Sequence, residues 1–141
     1  MSGKKILVVE DDNLQLTTLA RRLKSAGFDV VAARDGLTAI SAARKEQPDL
    51  ILLDLGLPAG DGFVVLQRLG MLINTGTIPI IVVSSRPPLG NRDAALQAGA
   101  IAYIHKPVDM SVLLKTINEA LGLSPTEPPP EPPQPPPSSQ P

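Results

Sequence analysis

Cysteine and tryptophan are absent from the 141 residues, and the aromatic side chains come to Phe28, Phe63 and Tyr103. The missing thiols exclude disulfides and thiolate zinc sites. With so few rings, the interior must be packed from Leu, Ile, Val and Ala, and the single tyrosine stands out. Positive charge is also in short supply as a pattern. Thirteen Lys and Arg face fourteen Asp and Glu, for a net charge of −1, with no basic stripe or helix, so direct nucleic-acid binding is not expected. No apolar run approaches a membrane span. The short run after Lys4-Lys5 is stopped by Glu10-Asp11-Asp12, too early for a secretory signal. A cytoplasmic protein without membrane attachment is the expectation.

What the chain does have is acid at the ends of apolar runs. Ile6-Leu7-Val8-Val9 leads into Glu10-Asp11-Asp12, and Leu50-Ile51-Leu52-Leu53 leads into Asp54. Ile78 to Val83 leads into Ser84-Ser85, and Ile101 to His105 leads into Lys106-Pro107. In an open parallel sheet the carboxyl ends of the strands share one edge, where such sheets place their sites. Several carboxylates gathered there repel one another and need a compensating cation.

Short apolar runs alternate with longer amphipathic segments, the pattern of a parallel α/β sheet covered on both faces. The spacing predicts strands β1 to β5 near residues 4–9, 29–33, 50–54, 78–84 and 101–105. Helices α1 to α5 are predicted near 13–26, 36–46, 62–73, 91–98 and 109–121. Gly27 reads as a stop for α1, Asp61 as a start for α3 and Asp109 as a cap for α5, where Val112, Leu113, Ile117 and Leu121 form an apolar stripe. The predicted domain covers residues 1–123, its ordered part beginning near residue 3. From Ser124, ten of eighteen residues are proline, so 124–141 are predicted to form a disordered proline-rich tail. It reads as a solubilising terminus or linker, with a ligand for a proline-binding groove as the alternative.

Taken together, the motifs Glu10-Asp11-Asp12, Asp54-Leu55-Gly56-Leu57-Pro58-Ala59-Gly60-Asp61-Gly62, Ser84-Ser85 and Tyr103-Ile104-His105-Lys106-Pro107 resemble the receiver domain of two-component response regulators. The resemblance implies a flavodoxin-like fold with strand order 2-1-3-4-5. It implies Asp54 as phosphoacceptor and a Mg²⁺ site formed by Asp11, Asp12, Asp54 and the backbone carbonyl of Gly56, with capping of α1 as the alternative role for Asp12. Lys106 would pair with the phosphoryl group, and Ser84 and Tyr103 would form the switch. It further implies a sensor histidine kinase or phosphotransfer protein as donor, a downstream target on the α4-β5-α5 face, and slow hydrolysis of the acyl phosphate by the domain itself. With no output domain in the sequence, a receiver that acts through a partner is expected, either alone or as a piece of a longer protein.

Ser85, Ile101, Ala102, Val108 and Pro87-Pro88 depart from the common family pattern, and none removes a group the reaction needs. His105 should alternate away from the site and be structural. Pro87-Pro88 stiffens the loop before α4. Gly56 offers no side chain, so side-chain control of the phosphoryl lifetime falls to Arg86, which is expected to prolong it. The competing readings are a receiver-like scaffold that works without phosphorylation and a Mg²⁺-dependent Asp phosphatase. The phosphatase lacks its acid, because Gly56 stands where a second Asp is needed. A flavin carrier is disfavoured by three acids where a phosphate loop would lie.

Overall fold

Leu50–Leu53 and Ile80–Ser84 are buried at every position, as required of central strands that carry helices on both faces and so cannot alternate apolar with polar. The computed structural model describes residues 3–57, 62–71 and 76–123. The expected tail, Asp61 as helix start, and residues 72 and 73 of the predicted α3 lie outside them. Within the described residues, β1 (Lys5–Val9), β2 (Asp29–Ala33), β3 (Leu50–Leu53), β4 (Ile80–Ser84) and β5 (Ala102–His105) alternate with five helices. These are α1 (Asn13–Ser25), α2 (Gly36–Glu46), α3 (Gly62–Met71), α4 (Pro88–Gln97) and α5 (Met110–Leu121). All strands run parallel in the order β2-β1-β3-β4-β5, the flavodoxin-like receiver arrangement.

Alternation along each strand divides the core in two. Leu7, Val9, Ile51, Leu53 and Val82 pack with Val65, Leu66 and Leu69 of α3 and with Ala39, Ala43 and Ala95. Ile6, Val8, Leu50, Leu52, Ile81 and Val83 pack with Leu23 of α1 and with Leu113 and Ile117 of α5. Val112, expected in the α5 stripe, is 48% exposed, because it sits one residue, about 100° of helical turn, away from the buried Leu113.

Boundary differences have local causes. β4 starts at Ile80 because Pro79 has no N–H to give, although its carbonyl accepts from Ile51 N at 3.0 Å. α4 is interrupted at Leu89 (ψ 120°) and Gly90 (φ 79°), so its regular turns begin close to the predicted residue 91. Asp12, Asp35 and Asp109 cap α1, α2 and α5, each carboxylate accepting a backbone N–H of the first turn. The Thr38 N–H and hydroxyl hold the Asp35 carboxyl below its ordinary value, as the Ser111 hydroxyl and N–H do for Asp109. Their stabilisation is therefore present above the ordinary carboxylate range and is lost as the pH falls through the lowered values. Among the described residues, no helix is long and apolar enough to cross a membrane.

Candidate functional site

The sheet register brings the acidic residues together. Val9 pairs with Ala33 on one side and Leu53 on the other. One residue further, Glu10 N donates to Ala33 O at 3.0 Å and Asp54 N to Val9 O at 3.1 Å, so the ladder carries both acids onto the carboxyl edge side by side. They share parity with Ile6, Val8, Leu50 and Leu52, whose side chains meet α1 and α5. Lys106, in step with Ala102 and Ile104 on that same face, is fixed by its N–H to Ser84 O at 2.8 Å, and the Lys106–Pro107 peptide is cis.

The Lys106 ammonium has three acceptors: Glu10 Oε1 at 2.8 Å, Gln15 Oε1 at 2.6 Å and, most distant, Asp54 Oδ2 at 3.5 Å. Oxygens of Glu10, Asp11 and Asp54 lie within 4.8 Å of one another. At an effective dielectric constant near 20, two like charges at that separation repel by roughly 3 kcal/mol. One ammonium leaves two negative charges uncompensated, a deficit that matches a divalent cation. The donor set is all oxygen, as Mg²⁺ requires.

Asp12 is placed elsewhere. Its Oδ1 accepts from Gln15 N at 2.9 Å, and its own N–H donates to Glu10 Oε2 at 3.1 Å. The expected pair Asp11 and Asp12 is thus replaced, in the cluster, by Glu10 and Asp11, because the side chain of Asp12 is spent on the first turn of α1. The sequence carried a signal for this: Asp12-Asn13-Leu14-Gln15 has the spacing of a capping box. Gly56 N donates to Asp54 Oδ1 at 3.0 Å, which orients the carboxylate from the side opposite Lys106. Gln15 was missed because it lies on α1, outside every strand end, and Arg34, whose guanidinium donates to Asp11 O at 3.1 Å, because β2 ends without an acid, hydroxyl or lysine to draw attention to it.

Ser84 and Tyr103 project toward the other face and meet at one residue. Ser84 Oγ accepts from Arg86 N at 3.0 Å, and Tyr103 Oη donates to Arg86 O at 2.7 Å. The Arg86 guanidinium lies over the Phe63 ring, 5.6 Å from its centre. His105, exposed, meets Ser85 O through Nε2 at 3.2 Å. A cavity of 670 Å³ opens over the acids between α1 and the start of α5, lined by Glu10, Asp54, Ser85, Lys106, Leu14 and Val108 among others. Ser85, not Ser84, faces it.

Burial is the main cause that raises the Glu10 carboxyl above its ordinary 4.5, with the Asp54 charge adding to it and the Lys106 hydrogen bond opposing it. A raised acid binds its proton more tightly folded than unfolded. Its stabilising contribution is therefore complete below the unfolded value and is lost as the pH climbs through the folded one. Glu10→Gln is accordingly expected to raise the melting temperature at pH 7 and to converge on wild type below pH 4.5. Metal-free calorimetric scans across this range check it; a lower melting temperature at pH 7 contradicts the reading.

An acid-lined pocket at the carboxyl edge of a parallel 2-1-3-4-5 sheet, with a lysine reaching in from the end of β5, places the fold in the receiver class. The chain belongs to the response regulator receiver domain family, whose model matches residues 6–118. It is 34% identical over 117 residues to protein PilH of Pseudomonas aeruginosa, covering 83% of this chain and 97% of PilH. It is 36% identical over 121 residues to the transcriptional regulatory protein PrrA of Mycobacterium tuberculosis, covering 86% of this chain and 51% of PrrA. The chain thus spans about half the length of PrrA. Among solved structures it resembles a CheY-like receiver domain protein of Methanospirillum hungatei (33% identity, TM-score 0.80, 86% of this chain and 95% of that one). It also resembles the receiver domain of sensor histidine kinase PA1611 of Pseudomonas aeruginosa, solved with a magnesium ion in its active-site cleft (31% identity, TM-score 0.79, 86% and 99% covered).

Proposed function

We propose that this receiver takes a phosphoryl group onto Asp54 from a histidine kinase or phosphotransfer partner. Mg²⁺ would be held by the carboxylates of Glu10, Asp11 and Asp54 together with the Gly56 carbonyl. The observation that carries the reading is the convergence of three carboxylates with a single ammonium reaching in from β5. When bound, Mg²⁺ offsets the charge of the carboxylates and of the phosphoryl oxygens. An Asp54 oxygen bonds to phosphorus as the donor's P–N bond breaks, and the departing imidazole takes its proton from solvent. A carboxylate nucleophile needs no protein base, so catalysis rests on position and charge. Lys106 supplies an ammonium beside the acceptor oxygen, and Gly56 N steadies the other oxygen. Water later cleaves the acyl phosphate, with Arg86 as the side chain that slows it.

The readout follows from the shared partner. Drawing Ser84 Oγ toward a phosphoryl oxygen takes the acceptor from Arg86 N, while the carbonyl of that same residue holds Tyr103. Phosphorylation therefore favours a second arrangement of Arg86 and Tyr103. The surface it alters is the α4-β5-α5 face, where Ile101 and Val112 are exposed and a protein target would dock.

Incubation with acetyl phosphate tests the proposal. Intact mass should rise by one phosphoryl group with Mg²⁺ and stay unchanged with EDTA, and peptide mapping should place the group on Asp54; incorporation indifferent to the metal would end the reading. The same assay tests the reassigned acids. Asp12→Asn keeps a capping oxygen and should leave Mg²⁺ affinity within about twofold, whereas Asp11→Asn should weaken it by roughly tenfold or more. Calorimetric Mg²⁺ titrations separate the two, and equal losses would return Asp12 to the metal site.

A further inference from the structure

Gln15 lies on the exposed first turn of α1, outside every motif of the receiver pattern. Its amide oxygen nevertheless makes the shortest contact to Lys106, 2.6 Å against 2.8 Å for Glu10 and 3.5 Å for Asp54. An ammonium has three donors and no acceptor, so the oxygen end of the amide must face it. With two N–H groups taken by Glu10 and Gln15, the third is left directed at Asp54, at a distance too long for a strong charge-assisted hydrogen bond.

We propose that Gln15 is a positioning residue that holds Lys106 back from Asp54, so that the ammonium meets the oxygens of an arriving phosphoryl group instead of closing on the bare carboxylate. The inference rests on the phosphoacceptor reading of Asp54 and deepens it. Geometry favours it for two reasons. The backbone N–H of Gln15 is itself fixed by the Asp12 cap at 2.9 Å, so the side chain springs from a rigid base. The Asp54 carboxylate is pinned from the far side by Gly56 N at 3.0 Å, so the gap between carboxylate and ammonium is set from both ends. A donor held where charge arrives needs no reorganisation at the moment of transfer. Without Gln15, Lys106 has Glu10 and Asp54 as its remaining partners, and a tight Lys106–Asp54 pair masks the nucleophile.

Gln15→Met keeps length and helix propensity but removes the acceptor. The cap survives because it uses the backbone of residue 15. Phosphorylation by acetyl phosphate at saturating Mg²⁺ is expected to slow by about fivefold, the weight of one such hydrogen bond. Mg²⁺ affinity should be unchanged, since Gln15 is not among the clustered acids. In a Lys106→Ala background the same substitution should change the rate by less than about 1.5-fold, because the two residues act as one unit. An unchanged or faster rate in Gln15→Met, a parallel loss of Mg²⁺ affinity, or an equal slowing without Lys106 would each overturn the inference. Failure of wild type itself to take up a phosphoryl group would instead remove the phosphoacceptor reading on which it stands.

Discussion

Asp54→Asn should take up no phosphoryl group in a reaction that labels wild type to completion. The amide oxygen keeps the acceptor for Gly56 N, so the loop keeps its anchor and the fold should persist. What disappears is the anionic nucleophile, together with one of the three clustered carboxylates. A neutral amide does not attack phosphorus at a useful rate, and a loss of at least roughly a thousandfold is expected where a covalent nucleophile is removed. Intact-mass spectrometry after acetyl phosphate treatment measures the loss, and circular dichroism confirms the fold. Incorporation equal to wild type would move the acceptor to another side chain.

Gly62→Ala should damage the domain more than its modest chemistry implies. Gly62 opens α3, its N–H donating to Leu55 O at 3.1 Å. A Cβ built there would stand 2.4 Å from Leu55 Cα and 2.6 Å from Leu55 O. Those are backbone atoms, so no side chain can swing aside. Either α3 or the Asp54-Leu55-Gly56 segment must shift, and Leu55 is fully buried. Overpacking of this kind costs on the order of 3 kcal/mol. Urea unfolding should show the loss, and phosphorylation should slow as well, because residue 55 joins the acceptor to the amide that orients it. A change below about 0.5 kcal/mol, the usual range for benign surface substitutions, would mean that the two segments are not held together.

The strands were legible because both faces of the sheet are covered, which turns β1, β3 and β4 into unbroken apolar runs that end in polar residues. Asp54 and Asp11 were legible for the same reason, each standing at the end of such a run, and Lys106 was legible from its place directly after β5. The capping roles of Asp12 and Asp109 illustrate the limits of that logic. Both are acids at the entry to a helix, and only in Asp12 did adjacency to the acidic cluster pull the reading toward metal. Gln15, Arg34 and the meeting of Ser84 and Tyr103 at Arg86 were not legible, because they depend on how α1 and the loops after β2 and β4 are placed in space. The interrupted start of α4 has a local origin, in Gly90 with its positive φ.

The scarcity of rings has an optical consequence. With no tryptophan and one tyrosine, all ultraviolet emission excited near the tyrosine band comes from Tyr103, whose hydroxyl donates at 2.7 Å to a peptide carbonyl. Such a hydrogen bond quenches a phenol, and its release brightens it. The chain therefore carries its own fluorophore at the junction between Arg86 and β5, with no background from elsewhere, and every rearrangement of that junction is written directly into the emission of the unlabelled protein.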